Sequence, residues 1–567
     1  MALFRPALIT ALRGGYSGRD LAADLGAGVL VGVVALPLSM ALAIASGCKP
    51  EQGLWTAIVA GILISLLGGS RVQIGGPAGA FVGLCAVGVN QFGYAGLALA
   101  TMMAGALMLF FGLARLGRAI SYIPTPVVIG FTTGIALILF STQIGPALGV
   151  TDPLKPAEHL HERITYLADQ LAAGVWNWRA TACCVATITL ILVARRIHPR
   201  VPGALISIVG VALTAHLLGW DAGDERIDTI TSRFGELPTG FPALALPSLG
   251  LGEHWALGDL LVRLKNLSGL ALSIALLGSI ESLLSAVVAD GMSGDRHDSN
   301  TELIAQGVAN LAVPLIGGMP ATGVIARTST NIRAGARSPF AGIFHSLTIL
   351  AAVLVAGPLV GHVPLAALAG VLLVVCWSMA DLRHWPYILK AGRSDAVLLP
   401  LAFLLTAFIG VTEAIELCVV LAMFFFVKRM SEATEVERQT VPATEAGALP
   451  PIAPGVEIYT IRGPFFFGAS TLIRDLDGGT GGEPRVMVLR LGAVPFIDAT
   501  AAFSLRELHA SLLARGGRLL LSDVHARLAE DLRRNGLTDL LGADAAHADL
   551  AAALVHARRV SEGGEGR

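Results

Sequence analysis

Charge is scarce in this chain. Asp, Glu, Lys and Arg make up 14% of 567 residues against 54% hydrophobic, and the mean hydropathy is +0.70, whereas an ordinary soluble domain carries about 25% charged residues. No charged residue lies between Arg71 and Arg115 or between Arg118 and Asp152, and each gap has room for one or two spans of about 20 residues. A soluble globular class is thereby excluded, and a lipid bilayer is the expected solvent. The net charge of −1 offers no basic excess, which excludes nucleic acid as a partner. Cysteine is also sparse: Cys48, Cys85, Cys183, Cys184, Cys376 and Cys418 stand in or beside apolar runs without ligand spacing, so neither a disulfide framework nor a zinc site is expected. No nucleophile elbow or pair of catalytic carboxylates interrupts the apolar runs, which excludes an enzyme; no cofactor and no metal are expected. Arg5, Arg13 and Arg19 precede a first run too long for a cleaved signal, so that run is expected to stay attached.

Apolar runs are present near 21–46, 53–68, 77–92, 95–113, 124–142, 178–195 and 202–219, and again near 265–290, 301–316, 320–332, 340–360, 364–380, 395–411 and 413–428. With a cytoplasmic N-terminus, the loops predicted inside collect Arg71, Arg115, Arg118, Arg195, Arg196, Arg200, Arg296, Arg333, Arg337, Arg383, Lys390, Arg393, Lys428 and Arg429. The loop from Trp220 to Trp255 is instead acidic, with Asp221, Asp224, Glu225, Asp228 and Glu236, and is predicted outside. The two sets also share a spacing. Leu21 to Pro77 spans about the same length as Lys265 to Pro320, and the offsets from Pro77 to Pro124 and from Pro320 to Pro364 are close. Seven is odd, so the second set enters the membrane in the opposite direction: the sequence predicts an all-α polytopic membrane domain over 1–430 with inverted repeats at 21–219 and 265–428, 14 segments in all. After Lys428 the composition changes. Residues 431–454 read as a linker, and 455–560 as a cytosolic α/β domain with strands at 456–461, 486–491 and 518–522 and helices near 501–514 and 525–534.

Helices that begin inside a membrane leave their first N–H groups unpaired and, with the positive end of the dipole, attract anions. Gly75-Gly76-Pro77-Ala78-Gly79-Ala80-Phe81 and Gly317-Gly318-Met319-Pro320-Ala321-Thr322-Gly323 both read as such starts, with proline in the first helical turn. One such motif alone reads as a kink; two at matching positions of a repeat point to a site. Arg327 is the only charged residue between Glu302 and Arg333 and is expected deep in the membrane, where it either neutralises a bound anion or pairs permanently with Glu281. Glu281, alone between Lys265 and Asp290, could carry a proton, coordinate a cation or hold Arg327. The Asp-rich segment 289–300 lacks a calcium loop's glutamate and reads as a helix connection. His198, His216, His345, His362 and His384 fall mostly at loop ends and support no catalytic arrangement.

The segments IESLLS at 280–285 and HDSNTELIAQGVAN at 297–310, followed by Pro320-Ala321-Thr322-Gly323 and Arg327-Thr328, resemble the SulP anion permeases, bacterial relatives of solute carrier family 26. Phe496-Ile497-Asp498-Ala499-Thr500 after a strand resembles the STAS domain that ends such proteins, so the resemblance covers nearly the whole chain. It implies a core and a gate domain, seven plus seven inverted spans, a homodimer in the bacterial inner membrane with both termini cytoplasmic, and an elevator-like movement of the core. Family site positions fall on Phe81, on Glu281 and Ser285, and on Gly323, Val324 and Ile325. With the broken segments, the substrate site is expected to comprise Gly76, Pro77, Ala78, Gly79, Phe81, Ala321, Thr322, Gly323, Val324, Ile325 and Arg327, and the coupling site Glu281 and Ser285. Relatives resembling sodium-coupled bicarbonate transporters carry a hydroxyl where this chain has Ile325 and a shorter acid where it has Glu281, so a proton or plain exchange is preferred over sodium. Thr500 matches a phosphorylated hydroxyl of related soluble regulators, but the reading preferred for it is a cap on the following helix.

The function expected is secondary active transport of a small anion by symport or exchange, sulfate first, with bicarbonate or a C4-dicarboxylate as alternatives. An anion channel is a rival. A nucleobase permease of this architecture is another, though it would need polar side chains for a heterocycle and normally has no STAS domain. The STAS domain is also expected to bind a cytosolic partner.

Overall fold

The computed structural model describes residues 4–117, 124–150, 160–197, 202–222, 226–236, 257–438, 449–469 and 485–562, with residues 240, 242 and 244. Arg118, Asp152, His198, Arg200, Asp224, Glu225 and residues 439–448 of the linker lie outside the described residues. The chain divides into two compact units, Met1–Val420 and Leu421–Arg567.

The first unit is helical: α1 (Ala7–Arg13), α2 (Gly18–Ala45), α3 (Pro50–Leu67), α4 (Val82–Leu113), α5 (Thr125–Leu148), α6 (Leu160–Ala172), α7 (Trp178–Ile197), α8 (Gly203–Leu217), α9 (Ile230–Phe234), α10 (Leu257–Ser293), α11 (Ser299–Ala312), α12 (Ile325–Arg333), α13 (Phe340–Val360), α14 (Leu365–Met379), α15 (Trp385–Ala391), α16 (Arg393–Phe408) and α17 (Val411–Glu432), whose end enters the second unit. Among the described residues, six helices are long and apolar enough to cross a membrane, and three shorter apolar ones accompany them. The runs 77–92 and 95–113 form one helix interrupted at Gly93, whose φ of 70° and ψ of 174° break the helical path at the one residue type that tolerates it. Run 301–316 is α11 followed by a 3-10 turn, Val313–Ile316. The short helices α1, α6, α9 and α15 were not expected, because they are too short or too polar for a hydropathy search.

Helices of the two halves interleave. α2 and α3 pack on α13, α4 on α10 and α11, and α10 on α12, forming one group; α5 packs on α14 and α16, and α7 on α8 and α14, forming another. Residues Leu36, Met40, Leu54, Trp55, Ile349, Leu368 and Leu372 contribute to a continuous buried cluster across α2, α3, α13 and α14. Loops predicted on the same side meet: Arg71 Nη1 lies 3.6 Å from Asp295 Oδ1, and Thr229 bridges to Pro364. The Asp-rich connection is used locally, as the sequence suggested. Asp290 accepts from the His297 amide at 3.1 Å, and Asp298 caps α11 by accepting from the Thr301 amide at 2.8 Å.

Between α3 and α4, Gly75–Gly76 forms β1, and before α12, Thr322–Gly323 forms β2; the two pair antiparallel, Gly75 with Gly323 and Gly76 with Thr322. The broken segments therefore run in opposite directions, as inverted repeats require.

The second unit holds a four-stranded sheet in the order β3 (Glu435–Arg438), β4 (Val456–Arg462), β5 (Val486–Ala493) and β6 (Arg518–Ser522), with β3 antiparallel and the others parallel. β3 falls inside the stretch read as linker. β5 is apolar on both faces. Met487, Leu489 and Leu491 face a cluster with Leu505 and Leu508 of α18 (Ala499–Ala514), while Val486 and Val488 face Leu550 and Leu554 of α21 (Leu550–Glu562). Between these helices lie α19 (Ala526–Arg534) and α20 (Leu537–Leu541).

Candidate functional site

The strand pair uses up the residues that the sequence assigned to helical turns. Pro77 and Pro320 are not in a first turn: the 3-10 turn leading into α4 begins at Gly79 and α12 begins at Ile325, because Gly75–Gly76 and Thr322–Gly323 pair as strands and the cap residues Ala78 and Val324 are still extended. Antiparallel pairing sends the chain away from the pair in opposite directions. The N-termini of the α4 segment and of α12 thus face the pair from opposite ends, and their positive dipole ends converge on it. The cap residues are Ala78 and Val324, neither with a side chain that can accept a hydrogen bond. First-turn amides at both starts are consequently left for another acceptor.

Buried polar side chains fix this geometry, and of these only Thr322 was among the expected site residues. Asn310 of α11 accepts from the Ala321 amide at 2.9 Å and donates to the Ala321 carbonyl at 2.8 Å, standing in for a strand. Thr56 of α3 accepts from the Met319 amide at 2.7 Å, and Tyr94 donates to the Gly318 carbonyl at 2.8 Å. The Val324 amide donates to the Ile74 carbonyl at 2.9 Å, Thr328 Oγ1 accepts from the Ile74 amide at 3.1 Å, and Thr322 Oγ1 donates to the Gly278 carbonyl at 2.7 Å. Glu302 is fully buried and accepts from the amides of Gly69 and Ser70 at 2.9 and 3.3 Å, from Ser282 Oγ and from Gln306 Nε2, tying the approach to β1 onto α10 and α11. Glu302, Asn310 and Thr328 lie in segments that carry the family resemblance, yet only the tertiary contact reveals which stretch of broken backbone each of them meets.

Close approach explains the glycines. A Cβ on Gly323 would stand 1.5 Å from Gln73 Nε2, whose amide donates to the Ser282 carbonyl at 3.1 Å, and one on Gly76 would stand 2.6 Å from Arg327 Nη1.

Of the other site residues, Pro77, Ala78, Ala321 and Thr322 are buried, while Gly79, Val324 and Ile325 are half-buried on the accessible side. Gly79 faces Met379 of α14, where a Cβ would lie 2.9 Å from Sδ, so this side looks onto the second helix group. Phe81 is fully buried, its ring edge 3.0 Å from the Cβ position of Gly278; it packs α4 onto α10. Ser285 Oγ donates to Thr328 Oγ1 at 3.3 Å. Arg327, 3% exposed, donates from Nη2 to Ser39 Oγ at 3.0 Å, and its Nε and Nη1 have no protein partner. A permanent ion pair with Glu281 is therefore not present. Glu281 is half-buried and takes no hydrogen bond from a described group. His345 is no loop-end residue: it lies within α13, fully buried, with neither ring nitrogen partnered. Its Nδ1 and the Gly75 carbonyl both stand 3.5 Å from the Cβ position of Gly61, which brings it to the back of the strand pair. In the second unit Asp498, not Thr500, caps α18, accepting from the Ala501 amide at 2.8 Å; Thr500 is exposed in the first turn. Asp498 wins because its carboxylate stands at the residue preceding the helix, where it also accepts from the Phe467 amide at 3.0 Å.

A polytopic helical bundle in which two broken segments cross, followed by a small α/β unit, defines a membrane transporter of anions rather than an enzyme. The sequence matches the sulfate permease family over residues 21–402 and the STAS domain over residues 450–553, and the chain belongs to that family. It is 39% identical over 529 residues to YvdB of Bacillus subtilis, provisionally named a sulfate transporter, covering 93% of this chain and 96% of that protein. To the bicarbonate transporter BicA of Picosynechococcus it is 28% identical over 512 residues, 86% of each. The fold superposes on murine Solute Carrier 26 family member A9 with a TM-score of 0.83 at 17% identity, covering 98% of this chain and 94% of that one.

Proposed function

We propose that this protein is a secondary active transporter of small oxyanions, with sulfate its first substrate, working by an elevator-type movement with proton coupling or exchange. The observation that carries the reading is the pair of helix starts at Gly79 and Ile325, both capped by apolar residues and aimed at one strand pair. Backbone amides there read charge and size and discriminate little between oxyanions, so Arg327, with two unpartnered nitrogens and no acid beside it, supplies the positive potential that draws the anion in. Gly76, Pro77, Ala78, Gly79, Phe81, Ala321, Thr322, Gly323, Val324 and Ile325 shape the site, and Glu281 with Ser285 serves coupling. Ile325 offers no oxygen to a sodium ion, which favours a proton. The protein works as a homodimer in the bacterial inner membrane with both termini cytoplasmic, and its STAS domain docks a cytosolic partner.

Likeness to a bicarbonate transporter over 86% of the chain supports bicarbonate as the second reading. Uptake of labelled sulfate into proteoliposomes, competed by bicarbonate and C4-dicarboxylates at two pH values, separates the two. Sulfate-dependent uptake outcompeted by unlabelled sulfate supports the first reading; no sulfate uptake alongside bicarbonate uptake overturns it.

A further inference from the structure

Far along the chain from the strand pair, one group of metal-ligating side chains comes together among the described residues: His216, Asp221 and His362. His216 occupies the last turn of α8, and Asp221 follows in a loop closed by the Ile227 amide donating to the Trp220 carbonyl at 2.8 Å. His362 stands in the turn between α13 and α14. That turn is clamped to the same loop, because the amides of Ile230 and Thr231 donate to the carbonyls of Val363 and Gly361 at 3.1 and 3.0 Å, and the Leu365 amide donates to the Asp228 carbonyl at 2.9 Å. The three side chains are thus held from three separate positions of the backbone.

His216 Nδ1 lies 2.7 Å and His362 Nδ1 4.0 Å from Asp221 Oδ2, and one ligand atom from each residue lies within 4.8 Å of the others. Tetrahedral bonds of about 2.0–2.1 Å set ligand atoms about 3.3 Å apart. The two separations from Asp221 Oδ2 fall on either side of that value and the third is within 4.8 Å, so the set stands within about 1.5 Å of coordination spacing. Both imidazoles are exposed above a less accessible carboxylate. Two imidazoles and one carboxylate are a poor set for calcium or magnesium, which take oxygen, and a good one for a borderline-soft divalent ion with a fourth, open position.

We propose that His216, Asp221 and His362 form a binding site for a divalent transition metal, with zinc the ion that suits the ligands best. Its ligands come from α8 in one half of the bundle and from the turn after α13 in the other, on the side that the distribution of basic residues places outside. A bound ion ties the two halves together there.

The test is titration of zinc alone into the full chain in detergent after chelator treatment, read by calorimetry and by Tm. One zinc per chain and a rise in Tm are expected, with affinity at least about tenfold weaker in His216→Ala and His362→Ala and retained in His362→Cys, which keeps a ligand. Magnesium at the same concentration should produce no rise. The six cysteines are buried and do not compete. Wild-type affinity in both alanine variants, or no zinc bound by the wild type, overturns the site. Variants are compared only where their metal-free Tm matches the wild type, and Asp221→Asn, which keeps the side-chain shape and removes only the charge facing His216 and His362, gives the same answer independently.

Discussion

Arg327 reaches Ser39 across the bundle, Nη2 to Oγ at 3.0 Å, and turns its other nitrogens toward no acid at all. A buried guanidinium without a counter-charge is costly to keep, and such a charge persists where it acts on something that arrives. Arg327→Gln is expected to lower sulfate uptake at least about tenfold, whereas Ser39→Ala, which removes one neutral partner worth about 1 kcal/mol, should raise KM by about five- to tenfold and leave kcat near wild type. Uptake by Arg327→Gln at the wild-type rate in proteoliposomes would remove this residue from the mechanism.

Gly323 and Gln73 form a space-limited pair. Adding one methyl in Gly323→Ala forces Gln73 off the Ser282 carbonyl and strains the strand pair, at a cost of about 1–3 kcal/mol. The double variant Gly323→Ala, Gln73→Ala frees the space while losing the same hydrogen bond, so its Tm should exceed that of Gly323→Ala alone. A double variant less stable than both single ones would show that the close approach does not set the glycine.

How far the site could be read from sequence follows from what each residue needs. Clustered glycines followed by a proline disfavour an unbroken helix far more than the single Pro37, Pro146 or Pro400 that the helices accommodate, so the two interrupted segments were visible, and hydropathy exposed the runs around them. Where the helices restart was not visible, since the extended Gly75–Gly76 and Thr322–Gly323 gain their hydrogen bonds only from one another, hundreds of residues apart. The contacts of Asn310, Thr56 and Glu302 with that backbone were hidden for the same reason, although Asn310 and Glu302 lie in a segment that carries the family resemblance. His345 was misread because a lone histidine in an apolar run gives no sign of what surrounds it; its two unpartnered nitrogens behind Gly75 appear only in three dimensions.

The start of α18 separates two neighbouring polar residues. Asp498 holds the Ala501 and Phe467 amides, while Thr500 is exposed and stands two residues past the cap position, inside the first turn. Asp498→Ala should cost about 1 kcal/mol and speed hydrogen exchange of residues 499–514 in the full chain, and Thr500→Ala should change that exchange by less than about 0.5 kcal/mol. Equal effects would return the cap to Thr500.

Glu281 offers the sharpest division between coupling and scaffold. Its carboxylate is half-buried, receives no hydrogen bond from a described group and does not pair with Arg327, so neutralising it breaks no internal contact. Glu281→Gln keeps the shape and removes the proton site. If Glu281 carries the coupled proton, wild-type uptake rises when the outside is acidified and collapses with a protonophore, while the Gln variant exchanges labelled for unlabelled sulfate at near wild-type rate but no longer accumulates it against a gradient. A Gln variant that still concentrates sulfate under an acid gradient assigns coupling elsewhere. Loss of both exchange and accumulation, with Tm unchanged, would instead make the Glu281 charge necessary for the movement itself rather than for coupling alone, and Glu281→Asp would then be expected to recover exchange, since it restores the charge one methylene short.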